Sequence, residues 1–378
     1  MRWSVVALLG PVLALAACTP ARATEAGKPS TTSVPRHSST PVPASSSTTT
    51  TTTLPAIFGV GLHVEHWVDH QASTDCGPTA QPYRTLVTDI FYPSSAIGTS
   101  AVAGAAPARA GAPYPVIVFA AGYDELPSTY AALLDAWVAA GMVVVAPVFP
   151  CTNANHVAAV GGLAAAFKLG VEDDTSNEPG DVAFVIAQLV AADASPATFL
   201  HPLVDMSELG LAGQSDGADA VAALVYDSAY AAADAAMPAR PVAVAVLSGA
   251  ALPGTYRNPA DPPDELSAES TADECNPQSG ATALYDAVGG DKAFLEIDGA
   301  SHMAPYTGAG QWAEATEAAT TAWFEQALGW RSAAAARAQL SAAGNIAGIT
   351  SLSNSPSAPP MHDILSGGYG DVPSECGL

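Results

Sequence analysis

Three polar side chains and two backbone amides in this sequence have the types and spacing that acyl transfer needs. Gly213-Gln214-Ser215-Asp216-Gly217 is a G-x-S-x-G, placed between the apolar run 208–212 and a segment that starts with the small residues Ala218 and Ala220. A strand–turn–helix at that place presents a serine hydroxyl at the strand end, and the flanking glycines let the two backbones close up. The amino terminus of the helix favours an anion developing there. The bland alternative is a serine that caps the amides of an ordinary helix start. A serine hydroxyl is a weak nucleophile until a base takes its proton. Of the eight histidines, His302 in Gly299-Ala-Ser-His302-Met-Ala-Pro is the one that directly follows a strand-like run, residues 293–297. The base in turn needs a carboxylate to hold its tautomer and stabilise its cation. Asp273, in Ser270-Thr-Ala-Asp273-Glu-Cys-Asn-Pro277, lies between the serine and the histidine in the chain. Glu274, Asp261, Asp264 and Glu269 are its neighbours and read as solvated loop acids.

An oxyanion formed in such a reaction needs two aimed N–H groups. One is the amide of Asp216, the residue after the nucleophile. The other comes from the loop Ala121-Gly122-Tyr123, with Tyr123 the expected donor and Gly122 its rival; the Tyr123 ring is then available to line an acyl pocket. The remaining histidines are read otherwise. His63, His66 and His70 have an H-x-x-H-x-x-x-H spacing, but in a strand His63 and His66 point to opposite faces, which argues against zinc. His156 and His201 read as structural, His37 lies in a polar tether and His362 in the tail. Asp173, Asp174 and Glu178 form an acidic stretch that reads as solvated rather than as a calcium site. No metal and no organic cofactor is expected.

The elements that must position these residues alternate strand-like and Ala-rich segments, the pattern of an α/β fold with a mostly parallel central sheet flanked by helices. Residues 62–67 and 85–92 read as opening strands. Residues 115–120 are a continuous apolar run entered after a proline, a buried strand. A helix over 129–140 and a strand over 142–146, cut off by Pro147, follow. Residues 150–180 read as a loop-rich excursion with one short helix. A helix over 181–192 is expected to be capped by Asp181. After the strand at 208–212 come a helix over 216–232, strands at 242–247, 266–270 and 293–297, and a helix over 310–328 whose inner face offers Trp312, Ala319, Trp323, Phe324 and Ala327. Nothing resembling a linker interrupts residues 56–330, so one catalytic domain is expected there. The extension 331–378 starts as Ala-rich helix, becomes Gly/Ser/Pro-rich, and is expected to pack on or near the domain.

The chain ahead of that domain is of another kind. Met1-Arg2 followed by an apolar run to Ala17 has the proportions of a secretory signal rather than of a bilayer span. It ends in Leu15-Ala16-Ala17-Cys18, which resembles the bacterial lipobox, so residues 1–17 are expected to be removed and Cys18 to carry the lipid. Ordinary cleavage after Ala17 or near Ala23 is the alternative. Residues 18–55 are a tether rich in Ser, Thr and Pro, with a reach on the order of 100 Å at about 3.1 Å per residue. The expected location is the extracytoplasmic face of a bacterial envelope membrane, with a released, secreted form as a variant. The chain's 378 residues carry 36 acidic against 12 basic side chains, a net charge of −24. That balance argues against nucleic-acid binding, which needs clustered Lys and Arg. A monomer is expected. Cys76, Cys151, Cys275 and Cys376 are an even set in an exported protein and imply disulfides. Cys151 and Cys275 both follow strand ends at one sheet edge, which suggests a Cys151–Cys275 bridge, with Cys275–Cys376 the rival.

The sequence resembles the α/β-hydrolases around dienelactone-hydrolase-like proteins, polyester-degrading cutinases and platelet-activating-factor acetylhydrolases. The stretches that carry the resemblance are Asp89-Ile-Phe-Tyr-Pro93, Val118-Phe-Ala-Ala-Gly-Tyr123, Val144-Val-Ala-Pro147, Asn177-Glu-Pro-Gly-Asp181, Gly213 to Gly217, Ser270 to Pro277 and Leu295-Glu-Ile-Asp-Gly-Ala-Ser-His302, within residues 85–328. The order Ser–Asp–His is that of this fold. The resemblance implies a Ser215–Asp273–His302 triad, with Tyr123 and Asp216 as oxyanion donors. The chain departs from relatives by Ala121 where many have His, and by Gln214 and Asp216 where cutinase-like members have His and Met. The expected activity is hydrolysis of small-molecule carboxylic esters with short to medium acyl chains. A lipase or polyesterase working at a lipid or polymer interface is the alternative; Asp173, Asp174 and Glu178 in the excursion lean toward soluble esters. A surface binding module on an inactive hydrolase scaffold is the non-enzymatic alternative.

Overall fold

The computed structural model describes residues 58–356, apart from 78–79, 97, 99 and 250–254. Cys18, the segments 1–17 and 18–55, His37, His362 and Cys376 lie outside the described residues.

The apolar runs pair into one ten-stranded sheet among the described residues. Its strands are β1 (Gly59–Asp69), β2 (Arg84–Ser94), β3 (Val102–Ala103), β4 (Tyr114–Ala120), β5 (Val143–Val148), β6 (Val204–Gln214), β7 (Ala243–Leu247), β8 (Asp264–Ser270), β9 (Lys292–Ile297) and β10 (Thr350–Ser353). Their spatial order is β10-β9-β8-β7-β6-β4-β5-β2-β1-β3. The six central strands from β5 to β9 run parallel. β1, β2 and β5 are successively antiparallel, and β10 is antiparallel to β9. This is an α/β fold with a mixed, mostly parallel sheet in the α/β-hydrolase arrangement.

Alternation along β4 shows how the sheet is covered on both faces. Val116, Val118 and Ala120 join a core formed with α4 (Glu178–Asp193) and α5 (Asp216–Tyr226), through Val182, Ile186, Val221 and Leu224. Ile117 and Phe119 join the opposite core, with α1 (Ala131–Ala139) and α8 (Gln311–Ala327), through Leu134, Trp137, Trp323 and Phe324. A strand buried on both faces has no polar register, which is why 115–120 reads as an unbroken apolar run. On α8 Ala319, Trp323 and Phe324 are buried, whereas Trp312 and Ala327 are only half-buried.

Several expectations need correction. β5 continues through Pro147, because that residue pairs only with β2, opposite Thr88, while the pairing with β4 has ended at Val145; a proline is tolerated where one side of the ladder is free. The excursion holds two short helices, α2 (Ala154–Ala159) and α3 (Leu163–Lys168), followed by a 3-10 segment over Val171–Asn177. α4 starts at Glu178 with Pro179 in its first turn, so Asp181 is inside the helix and does not cap it. α5 stops at Tyr226, where Asp227 turns to an extended conformation, and a separate α6 (Ala231–Ala236) follows. Helix α7 (Gln278–Ala287) precedes β9, and α9 (Ala333–Ala343) leads into β10, so the extension contributes a strand to the sheet edge.

The Cys151–Cys275 pairing is also overturned: Cys151 bonds Cys76, with Cα atoms 5.6 Å apart. The cause is Arg84, buried at the base of β2. Its guanidinium donates to Asp181 at 2.8 and 2.6 Å and to Asp174 at 2.9 and 2.9 Å, and reaches the Ser73 carbonyl at 3.3 Å. The β1–β2 connection is thereby clamped against the excursion, which brings Cys76 to Cys151. Cys275 is itself disulfide-bonded.

Candidate functional site

Four parallel strands deliver the site from one edge of the sheet. Tyr123 follows β4, Ser215 follows β6, Asp273 follows β8 and His302 follows β9. All four therefore emerge at the carboxyl ends of their strands, where open α/β sheets place their chemistry.

Ser215 sits on a turn with φ +55° and ψ −128°, a sparsely populated conformation for a residue with a side chain. Sterics impose it. A Cβ on Gly213 would lie 2.1 Å from the Gly217 carbonyl oxygen, and one on Gly217 would lie 2.2 Å from that of Ala120. Only glycine allows β6, α5 and the end of β4 to approach so closely. The amide of Ser215 itself donates to the Leu247 carbonyl at 3.0 Å, tying the turn to β7. The Ser215 hydroxyl makes no hydrogen bond among the described residues.

Asp273 and His302 are joined directly. His302 Nδ1 meets Asp273 Oδ2 at 2.7 Å, and the Asp273 side chain is fully buried. Asp273 Oδ1 accepts the amides of Cys275 and Asn276, each at 2.8 Å. Burial pushes Asp273 upward, but the hydrogen bond and charge of His302, with bonds from Glu269 and the Asn276 amide, bring it below the usual carboxylate range. Its rivals are placed elsewhere. Glu274 accepts the His302 backbone amide at 3.0 Å and so fixes the loop. Asp264 opens β8 at the far end of that strand, and Asp261 precedes it, exposed. Glu269 is not a solvated acid: it is fully buried, bonded by Ser248 Oγ and the Ser270 amide, and within hydrogen-bonding reach of Asp273. Burial first, then the Asp273 charge, pushes Glu269 well above the carboxylate range.

The Nε2 atom of His302 does not meet Ser215 in this structure. It lies 3.1 Å from Gln214 Nε2, and Gln214 Oε1 accepts the Tyr130 hydroxyl at 2.7 Å. The amide of Gly122 donates to the same Tyr130 oxygen at 3.2 Å. Gly122 is thus engaged, whereas the amides of Tyr123 and Asp216 make no hydrogen bond among the described residues, and the latter opens helix α5. The Tyr123 ring stacks on Phe167 of α3, with centroids 5.5 Å apart, and its buried hydroxyl has no partner among the described residues. The excursion therefore forms a wall beside the turn.

Carboxyl groups dominate the electrostatics. Asp216 is pushed up to about 6, by burial, with the His302 charge opposing. Glu172 rises to about 7 through burial and then the charges of Asp216 and Asp173. Glu125 rises through burial, held back by its bond with Thr129, while Asp124 raises it and His302 lowers it. Of the excursion acids weighed in favour of soluble esters, Asp174 is spent on Arg84 and Glu178 is buried against the Thr152 hydroxyl at 2.6 Å; Asp173 alone is exposed. Asp273, Cys275 and His302 offer ligand atoms within 4.8 Å of one another, but Cys275 is oxidised and the other two are bonded to each other, so the set does not suit a metal.

Sequence reasoning noted Gln214 only as a departure from cutinase-like relatives, read Glu269 as a solvated loop acid, and did not single out Tyr130. The Gln214 signal was a polar residue ending an apolar strand beside the serine; Tyr130 carried none, since its partners Gly122 and Gln214 lie in other segments, and nothing in the residue order marked Glu269 as buried behind Asp273.

No protein-family model matches the chain, and no curated protein matches it. Among solved structures, it is similar to a ferulic acid esterase from Streptomyces cinnamoneus, with a TM-score of 0.49 and 19% identity over 74% of this chain and 92% of that one. A likeness this distant leaves the chemistry to be read from the side chains themselves.

Proposed function

We propose that this protein is an exported serine hydrolase that cleaves carboxylic esters through an acyl-enzyme on Ser215. The observation that carries this reading is the pairing of two independent devices at one sheet edge: a serine forced onto a strained strand–helix turn, and an imidazole bonded at 2.7 Å to a buried carboxylate. Either alone has bland explanations; together they match the needs of nucleophilic acyl transfer.

In this mechanism His302 takes the Ser215 proton at Nε2 while Asp273 stabilises the resulting imidazolium. The Ser215 oxygen attacks the ester carbonyl, and the amides of Tyr123 and Asp216, both without a protein partner among the described residues, receive the oxyanion. The engagement of Gly122 by Tyr130 supports Tyr123 as the donor from that loop. Collapse of the tetrahedral species returns the proton from His302 to the departing alcohol. Water then repeats the sequence on the acyl-enzyme and releases the acid.

The surrounding Asp216, Glu172, Glu125 and Asp124 disfavour anionic substrates, so the substrate class is neutral esters; short to medium acyl chains remain the expectation within it. Residues 18–55 act as a tether from a lipid on Cys18, holding the domain of residues 56–330 at the outer face of a membrane. A Cys18→Ser variant is expected to leave the membrane fraction.

Hydrolysis of a chain-length series of p-nitrophenyl esters tests the reading. Saturable turnover of soluble C2–C8 esters is expected, without a rate jump when the substrate forms micelles. Such a jump would favour the interfacial alternative, and no turnover of any ester by folded protein would sink the proposal.

A further inference from the structure

One hydrogen-bonded chain runs from the loop after β4 to the carboxylate after β8. It passes from the Gly122 amide to Tyr130 Oη at 3.2 Å, from Tyr130 to Gln214 Oε1 at 2.7 Å, from Gln214 Nε2 to His302 Nε2 at 3.1 Å, and from His302 Nδ1 to Asp273 Oδ2 at 2.7 Å. Tyr130 and Gln214 are fully buried and His302 nearly so, so water does not compete for these bonds. The direction of every link follows from its first member. A backbone amide can only donate, so the Tyr130 oxygen accepts there and its single proton goes to Gln214. Gln214 must then turn its carbonyl to Tyr130 and its NH2 to His302. His302 Nε2 can meet that NH2 only as an acceptor, which places the ring proton on Nδ1, facing Asp273. That is the tautomer a general base requires.

We infer that Gln214 is a positioning residue: its side-chain amide holds the His302 lone pair and ties the base to the loop that carries the Tyr123 amide. The inference rests on the ester-hydrolase reading for its kinetic consequences, though not for its structural one. Because Ser215 Oγ makes no hydrogen bond among the described residues, Gln214 is also the resting partner of Nε2, which passes to Ser215 when substrate arrives. Gln214 does not touch the reacting carbon; it acts through the imidazole. An acceptor at the same place would have the opposite effect, since it would draw a proton onto Nε2 and occupy the lone pair.

Two substitutions of nearly equal size separate this role from space filling. Gln214→Met removes the donor, and Gln214→Glu replaces it by an acceptor. The expected result is a fall in kcat of roughly 10- to 100-fold for Met, the scale of a misplaced catalytic group, with KM within about twofold of the parent. A larger fall is expected for Glu. Tyr130→Phe, which frees the Gln214 carbonyl, should also lower kcat, and its effect should not add to that of Gln214→Met, because both break one chain. The ring 15N resonances of His302 in the resting parent should show the proton on Nδ1 and an unprotonated Nε2 that is perturbed in both Gln214 variants. A kcat within about twofold of the parent in folded Gln214→Met, or a resting ring proton on Nε2, would overturn the inference. If the parent hydrolysed no ester, the functional reading would fail, and the nitrogen resonances would still decide the place of Gln214.

Discussion

The two halves of the site are held in place by different means. Around Ser215 the position is set by backbone contact: two glycines permit an approach that any Cβ would block, and the serine takes a strained turn as a consequence. Around His302 the position is set by four side chains from two stretches of chain: Gln214 from one, and Asp273, Glu274 and, behind Asp273, Glu269 from the other. A backbone device concentrates its sensitivity in a few contiguous residues. A hydrogen-bonded device spreads it over many, and some substitutions in it are tolerated when a replacement keeps the right donor.

That contrast predicts where damage is greatest. Asp273→Asn should keep the fold but lower kcat/KM by about 10⁴-fold, because Asn neither fixes the tautomer nor stabilises the imidazolium; this corresponds to about 5.5 kcal/mol of transition-state stabilisation. Asp261→Asn, far from the ring and exposed, should stay within about twofold, as for a surface charge. Steady-state kinetics on a soluble ester, with circular dichroism for folding, checks both. Loss of activity in Asp261→Asn with near-normal Asp273→Asn would move the acid out of the hydrogen-bonded half.

Arg84→Ala strikes the other half indirectly. The guanidinium holds two buried carboxylates, and removing it leaves them unpaired, at a cost of about 3–5 kcal/mol in stability. Denaturant unfolding measures this. The excursion that packs on Tyr123 should loosen first, so proteolysis within residues 150–180 should precede global unfolding. The 15N signature of the His302–Asp273 pair should survive in the fraction that remains folded.

Asp216→Asn gives a smaller effect. Burial raises the Asp216 carboxyl from 3.8 to about 6 in the folded state, so the fold holds that proton more tightly than the unfolded chain does. The stability tied to it is fully present below pH 3.8 and is lost as pH rises through about 6. Replacing the acid by its neutral amide should therefore gain about 3 kcal/mol above pH 7 and nothing near pH 4. The rate should rise a few-fold above pH 6, since a negative charge next to a developing oxyanion is removed. Thermal unfolding and kcat/KM across pH 4–8 would expose a failure of either sign.

The same contrast explains what could be read from the residue order. The turn around Ser215 was legible because its requirements are local: glycine, serine and glycine at fixed spacing between a strand and a helix. The loops bearing Asp273 and His302 were legible as positions after strands. Their supporting shell was not, since Gln214, Tyr130 and Glu269 owe their roles to partners between 4 and 88 positions away. The Cys76–Cys151 bridge escaped for a similar reason: strand-end placement favoured Cys275, while the buried Arg84 clamp that brings Cys76 over the excursion has no local signature. β10 was missed because a four-residue strand after an Ala-rich helix has too little pattern to register.

The central claim is that Ser215 is a nucleophile activated by His302, and covalent labelling tests it most directly. Peptide mapping by mass spectrometry after treatment with a fluorophosphonate should find a single adduct, on Ser215. The adduct should be absent in Ser215→Ala, and its rate of formation should fall by at least about 10³-fold in His302→Gln, the scale on which triad members act as a unit. A folded protein that stays unlabelled at Ser215, or that labels as fast without His302, would contradict the account.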